Sequence, residues 1–386
     1  MSRAQALHGF EQLTADLRFH QPKSVAQPLE DARTIYLLAA GSFLGISFAN
    51  PIARNLLAKG KHVVLVDDTL RETTVAGCEL IGSQAFAQAK PVGALAINLG
   101  NATFAAEYFS KLASRAGVAE LDVIPVLDVL GLPVIYETAS VMREATLQRL
   151  PDYLSLANKL DDALSIQTLG AMLELRVRLD RRAVLPVLLS LEDEYFSPYP
   201  AGKDLTFTMG PEEIFCDIGA HVGSTIRKLL TATHWSYDTI YAFEPDAINY
   251  GALSKGVFTN LERFKASNIA LSDTRSVLSF SETGTMGSRL DNTGNVQVQA
   301  STLDDEVPRA TFIKMDVEGH EVKILQGARR LIASSKPRMA ITGYHYADDL
   351  LNIANLVHEI EPRYRFRLRH HSYYYFDSIL YADIPS

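Results

Sequence analysis

From Glu213 to its end the chain alternates short β-branched or aromatic runs with helical patterns, and this alternation constrains the fold more tightly than anything else in it. Strands read at EIFCDI, TIYAFE, RFKASNIAL, VLSFS, TFIKMDV, RMAITGY, RFRLRHH and SILYADI, and helices fit at 224–231, 245–258, 319–333 and 348–360. Such alternation implies a mostly parallel sheet covered by helices on both faces, a doubly wound α/β fold. The last two strands are joined only by SYYYFD. A parallel crossover needs a dozen residues or more, so this pair is expected to be an antiparallel hairpin.

The chain has 386 residues, too many for one ordinary core, so a second domain is expected. Residues 1–33 read as a polar helical extension. Residues 34–137 repeat the β/α alternation, with candidate strands TIYLLAA, HVVLVDD, GALAINL and LDVIPVL. Residues 138–204 turn helical, with apolar residues three and four apart in SLANKLDDALSIQTLGAMLELRVRL. A loop holding Pro198, Pro200, Gly202, Gly210 and Pro211 then leads into the second α/β domain, 205–386.

Composition narrows the function classes. A net charge of -8 argues against a dedicated nucleic-acid binder, because neutralising phosphates takes clustered Lys and Arg. The two cysteines, Cys78 and Cys216, make neither a disulfide framework nor a zinc spacing, no residue is assigned to a metal, and a reducing cytoplasmic compartment fits best. The amino terminus lacks a signal-peptide core. Residues 34–53 carry no charge and nearly match a bilayer span, but Gly41, Ser42, Gly45, Ser47, Asn50 and Pro51 interrupt them. A strand, a loop and a helix explain those breakers, so no membrane span is expected.

Three motifs carry chemistry. In FCDIGAHVGST a strand ends at Asp217, and Gly219 and Gly223 bracket a tight turn into a helix. Glycines there let the backbone approach a ligand, and the free N–H groups of the helix start favour a polar or negative group. The next strand ends at Glu244, where an acid can accept both hydroxyls of a ribose. Pro245 follows, at a position where its missing N–H costs nothing. Together these imply an adenosine-bearing cofactor of open type. In IKMDVEGHE a strand ends at Asp316 on the carboxyl edge of the sheet, with Glu318, His320 and Glu321 just behind. Carboxylates and an imidazole so crowded are candidates for general-base work, although acids also simply favour a helix start.

DIGAHVG, FEPD, NIALSD, STLDD and IKMDVEGHEVKILQGA occur in the order seen in the FkbM family of S-adenosylmethionine-dependent methyltransferases, which residues 205–386 resemble. The resemblance implies a class I methyltransferase sheet, mostly parallel with an antiparallel C-terminal hairpin, preceded by a smaller Rossmann-like α/β domain. It implies S-adenosylmethionine as cofactor, with Asp217, Gly219 and Gly223 lining its methionine side, Glu244 holding the ribose, and Asn268 and Ala270 near the adenine. Asp316 would face the transferred methyl group, and His320, His345 and Asp316 are the candidate bases. The acceptor it implies is a hydroxyl on a sugar, a glycolipid or polysaccharide precursor, or a secondary metabolite. There is one departure: the family often has a glutamate near the end of the fifth strand, where ITGYHYADD has Gly343, followed by His345.

Two further stretches are open to either reading. Arg363, Arg365, Arg367 and Arg369 recur every second residue and would share one strand face, expected as a solvated edge rather than an anion site. Residues 373–376 are aromatic and could stack on a sugar, although core packing is the commoner use. In the first domain, a strand ending near Ala40, then Gly41 and Gly45, then Asp67 and Asp68, outline a nucleotide-binding unit without G-x-G-x-x-G. Asn50 and Pro51 look there like an N-cap and first helical residue. This outline loosely resembles the Rossmann-like N-terminal portions of certain sugar acyltransferases, and a substrate-presenting or dimerising module is expected. A homodimer is plausible on that account. The competing readings are a nucleotide-dependent oxidoreductase or epimerase centred on the first domain, weakened by the absent glycine and Tyr-x-x-x-Lys pair, and a scaffold without turnover.

Overall fold

The computed structural model describes residues 1–386 apart from 73, 74, 76, 90, 91, 200–205, 256, 257, 259 and 386. Pro200 and Gly202 of the loop expected to open the second domain lie outside the described residues. The first sheet holds β1 (Thr34–Leu38), β2 (His62–Val66), β3 (Glu79–Ile81), β4 (Ala94–Asn98) and β5 (Ala119–Asp122), all parallel, in the order β3-β2-β1-β4-β5. The uncharged stretch is strand, turn and helix: β1 leads into helix Phe43–Ala58, capped by Ser42, whose hydroxyl accepts from the Gly45 amide at 3.0 Å. The helix therefore starts at Phe43, not at Asn50, and Pro51 lies inside it. The expected strand LDVIPVL is corrected too. Only its first residues join β5, and Val123–Leu130 is a helix. Asp122 caps it and Pro125 sits in its first turn, where a missing N–H removes no helical bond.

From β6 (Ile214–Ile218) onward the chain builds β7 (Thr239–Phe243) and β8 (Phe264–Ser267), then a small sheet of β9 (Ala270–Leu271), β10 (Ser276–Ser281), β11 (Arg289–Leu290) and β12 (Val296–Ser301). It returns to the main sheet with β13 (Phe312–Met315), β14 (Arg338–Thr342), β15 (Arg365–His370) and β16 (Ser378–Asp383), in the order β15-β16-β14-β13-β6-β7-β8. The expected hairpin is β15–β16. β16 alone runs against the rest, wedged antiparallel between β14 and β15. RFKASNIAL is split between β8 and β9, and β11 and β12 appear where no strand was expected. The helix expected at 319–333 is two, Glu321–Gln326 and Arg329–Ser335. At the break, Gly327 passes so close to Ser272 that a Cβ would lie 2.1 Å from its carbonyl oxygen.

The segments outside the two sheets are part of their cores. Helix Arg3–Leu17, capped reciprocally by Ser2 and Gln5, buries Ala6, Phe10 and Leu17 in the same apolar cluster as Ile313 and Cys216 of the second sheet. Helix Ala163–Arg178 serves both sides: Ile166, Leu169 and Leu173 enter that cluster, while Ala171 and Leu175 enter the core of the first sheet. A helix buried on nearly every face fits two layers at once.

The alternating arginines are a solvated face only in part: Arg363 and Arg365 are exposed, whereas Arg367 and Arg369 are covered. Arg369 is 1% exposed and pairs with Asp162 at 2.7 Å, and Arg365 reaches Asp161 at 3.2 Å, so this edge strand is tied to the start of helix Ala163–Arg178. Arg363 precedes the strand and pairs with Glu361.

Candidate functional site

The carboxyl ends of the parallel strands of both large sheets face one cavity of about 850 Å³, lined by residues from Phe43 to Asp377. Its inner part is built by β6 and its neighbours. Gly219 has φ +76°, and a Cβ there would lie 1.9 Å from the Asp316 carbonyl oxygen; Gly223 has φ +81° and meets the Phe258 ring. Both positions require glycine. The turn between them presents Gly219, Ala220 and His221 to the cavity. Glu244, at the end of β7, holds the turn in place: its carboxylate accepts from the His221 amide at 2.7 Å and the Asp246 amide at 2.9 Å. It lines the cavity, and burial pushes its pKa up to about 7 against those two donors. Asn268 donates to the carbonyls of Glu244 and Pro245 at 2.8 and 3.0 Å, bracing the same loop, while Ile269 and Ala270 line the cavity beside it.

Asp217 departs from expectation. It is fully buried and absent from the cavity wall, because the β6–β13 register sets it directly across from Lys314. The ammonium stands 3.1 Å from the Asp217 carboxylate and donates to the Gly219 carbonyl at 2.8 Å. Burial disfavours that charge, but Asp217 and Asp316 outweigh burial and keep the ammonium protonated.

The end of β13 gathers the acids. Asp316 lines the cavity and accepts from the Tyr195 hydroxyl at 2.8 Å. His345, after β14, lies among Asp316, Glu318 and Glu321, at 3.7, 3.4 and 3.3 Å. Glu321 is itself fully buried, accepting from Thr342 at 2.9 Å and the Val317 amide at 3.1 Å. The carboxylate facing His345 thus comes from the motif loop. Gly343 could not carry one without displacing Leu350, which a Cβ would meet at 3.3 Å. Burial alone would lower the His345 pKa, but Glu321 and Glu318 override it and raise it. His320 also lines the cavity, but its ring bonds the Ser272 hydroxyl at 3.0 Å, and burial lowers its pKa. The structure therefore brings Asp316 and His345 together and pairs His320 with β9's flank.

Several cavity residues had no signal in the pattern of the chain. Tyr136, from the loop after helix Val123–Leu130, donates its hydroxyl to Glu318 and lies under Arg289, 4.4 Å from its ring centre. Glu194 and Asp377 reach the cavity from loops and are buried enough that their pKa values rise, Asp377 to about 7 through burial and Asp316. Phe43, Phe48 and Pro51 of the first domain's helix, with Tyr374 and Phe376, make an apolar wall. The aromatic run at 373–376 thus both packs and lines.

Residues 217–371 match the model of the methyltransferase FkbM domain. This stretch is an FkbM methyltransferase domain. The whole chain also superposes on a methyltransferase FkbM from Methylobacillus flagellatus KT, with TM-score 0.74, 23% identity and 98% of each chain covered, which shows a shared fold across both halves. A precorrin-6y C5,15-methyltransferase of Geobacter metallireducens is similar over 44% of this chain and 78% of its own, with TM-score 0.28 and 11% identity, too distant to bear on the site. No curated protein matches the sequence. In the FkbM domain Gly219, Glu244, Ala270 and Asp316 converge on one cavity, Gly223 shapes the turn, and Asn268 and Asp217 act one layer behind the wall. Among the described residues no helix is long and apolar enough to cross a membrane.

The crevice of the first sheet is put to other use. Asp67 accepts from the Gly41 amide at 2.8 Å, the Thr69 amide at 2.7 Å and the Leu70 amide at 3.1 Å, so the acid that would hold a ribose folds its own loop. Arg181, 1% exposed, fills the space between strands: it pairs with Asp122 at 2.6 Å and donates to the carbonyls of Gly100 and Asn98.

Proposed function

We propose that the chain is an S-adenosylmethionine-dependent O-methyltransferase acting on a hydroxyl of a sugar-like small molecule. The observation that carries this is that the Gly219 turn, Glu244 and Asp316 line a single cavity. Each Glu244 oxygen accepts one backbone amide and keeps a lone pair for a ribose hydroxyl. When bound, the cofactor supplies a methyl group already activated on a sulfonium.

The chain's own work is then to exclude water, align the acceptor oxygen and receive its proton. The acceptor oxygen would take the methyl group of a cofactor held by the Gly219 turn and Glu244, and its hydroxyl proton would pass to a carboxylate of the floor, where Asp316 and Asp377 lie. A floor of carboxylates that accept from hydroxyls, beside the rings of Tyr344, Tyr374 and Phe376, suits a polyhydroxylated acceptor with apolar faces. The two buried free thiols accord with a cytoplasmic setting. The engaged state of Asp67 and Arg181 speaks against a dinucleotide enzyme centred on the first domain.

Calorimetry with S-adenosylhomocysteine and with NAD, on the wild type and Glu244→Ala, tests the reading. Homocysteine-analogue binding that the variant loses is expected. Binding of NAD alone overturns it.

A further inference from the structure

His345 is fully buried, and neither ring nitrogen has a hydrogen-bond partner of acceptable geometry. Nε2 stands 3.4 Å from Glu318 Oε2 and 3.7 Å from Asp316 Oδ1, and Nδ1 stands 3.3 Å from Glu321 Oε1. Asp316 Oδ1 and Glu321 Oε2 are likewise buried without a partner. Asp316, Glu321 and His345 each offer a ligand atom within 4.8 Å of the others. Buried polar atoms are nearly always satisfied by protein, water or an ion, so unpartnered atoms collected around one ring call for an occupant. Charge points the same way. Asp316, Glu318 and Glu321 bring three carboxylates together, with the His345 ring as their facing cationic group. The ammonium of Lys314 is engaged with Asp217 and the Gly219 carbonyl. An ion at Nε2 would stand where the ring's proton otherwise does.

We propose that Asp316, Glu318 and His345 Nε2 form a divalent-cation site on the floor of the cavity, with Glu321 orienting the ring from Nδ1. A ring nitrogen facing a metal while the other faces a carboxylate is the usual arrangement of a ligating histidine. Ligand atoms about 3 Å apart are expected around an octahedral ion with bonds near 2.1 Å, so the 3.4 and 3.7 Å from Nε2 to the Glu318 and Asp316 carboxylates need only a small contraction. Two carboxylates and one imidazole suit a cation such as Mn²⁺, and three ligands leave coordination positions for an acceptor oxygen. The Tyr136 hydroxyl on Glu318 holds that ligand from the first domain.

The chemical role of the ion rests on the methyl-transfer reading; its existence does not. Coordination of the acceptor hydroxyl would acidify it without any change in the metal's oxidation state. The proton would pass to Asp377, which lines the floor outside the ligand set, and the oxygen would form its bond to the methyl carbon as the carbon–sulfur pair returns to sulfur.

The test is titration of chelator-stripped full-length protein with Mn²⁺, followed by loss of the free-ion electron paramagnetic resonance signal, with Zn²⁺ calorimetry as a second probe. One saturable site per chain is expected, weakened at least tenfold in Asp316→Asn and in Glu318→Gln, and also weakened in Glu321→Gln. Circular dichroism checks each fold; Glu318 is partly exposed, so its variant carries the test if Asp316→Asn fails to fold. No saturable site for either ion, or a site indifferent to the folded variants, overturns the proposal. S-adenosylhomocysteine calorimetry on the same samples separates the two claims: analogue binding without metal binding removes the ion alone, and metal binding without analogue binding removes the cofactor reading alone.

Discussion

The hydroxyl of Tyr136 donates to the carboxylate of Glu318, a contact between residues 182 apart in sequence that joins the loop after helix Val123–Leu130 to the motif loop after β13. Its ring also lies nearly parallel to that of His345, at 6.0 Å. Tyr136→Phe keeps the ring and removes the bond. With an acceptor in hand, kcat/KM is expected to fall roughly tenfold, the size of one charge-assisted hydrogen bond, with S-adenosylhomocysteine affinity unchanged. An unchanged kcat/KM would place Glu318 outside the reaction.

Glu244 gives the cofactor site a pH dependence. Its carboxyl is raised to about 7 in the free protein, mainly by burial, and in the proposed cofactor site ribose hydroxyls would donate to its ionised form. Protonation therefore competes with binding. Analogue affinity should be level above pH 7 and weaken by about tenfold per pH unit below it, until the pKa of the bound state is reached. Calorimetry from pH 5.5 to 8.5 checks this; a flat profile contradicts the assignment of Glu244.

Two glycines should respond in opposite ways to alanine. At Gly219 the left-handed φ and the Asp316 carbonyl both oppose a Cβ, so Gly219→Ala should destabilise by at least about 2 kcal/mol and abolish analogue binding. Gly251 lies in helix Ala247–Leu253 with nothing within 4 Å of an added Cβ, so Gly251→Ala should stabilise by about 0.5–1 kcal/mol. Thermal melts of the two variants should shift in opposite directions.

Arg181 closes the crevice of the first sheet. Arg181→Met leaves the Asp122 carboxylate and two carbonyls without their buried donor and should cost about 3 kcal/mol. An unchanged urea midpoint would show that the crevice is held by other contacts.

The second domain was largely legible because local signals and topology agreed there. Strand periodicity, the short β15–β16 loop and the glycine turn each point to the same sheet, and Glu244 and Asp316 fall on its carboxyl edge as strand-end positions must. What stayed hidden depended on partners distant in sequence. Asp217 reads as a wall residue until the register with Lys314 turns it inward. Tyr136, Glu194 and Asp377 sit in loops with no periodic signal, and only the docking of the two sheets brings them to the cavity. Residues 121–127 read as a strand because Val123, Ile124 and Val126 are β-branched, yet the Asp122 cap overrides that preference locally. Arg369 followed a strand alternation that could not reveal Asp162 waiting on its face.

The central claim is that the Gly219 turn, Glu244 and Asp316 form one methyl-transfer site. The most direct measurement is the electron density of crystals of the full chain grown with S-adenosylhomocysteine. The account predicts the ribose hydroxyls on the Glu244 carboxylate, the methionine portion against the Gly219 turn, and the sulfur turned towards Asp316. Density for the ligand at the Gly41–Asp67 loop of the first sheet, or in the cavity without contact to Glu244, would contradict it.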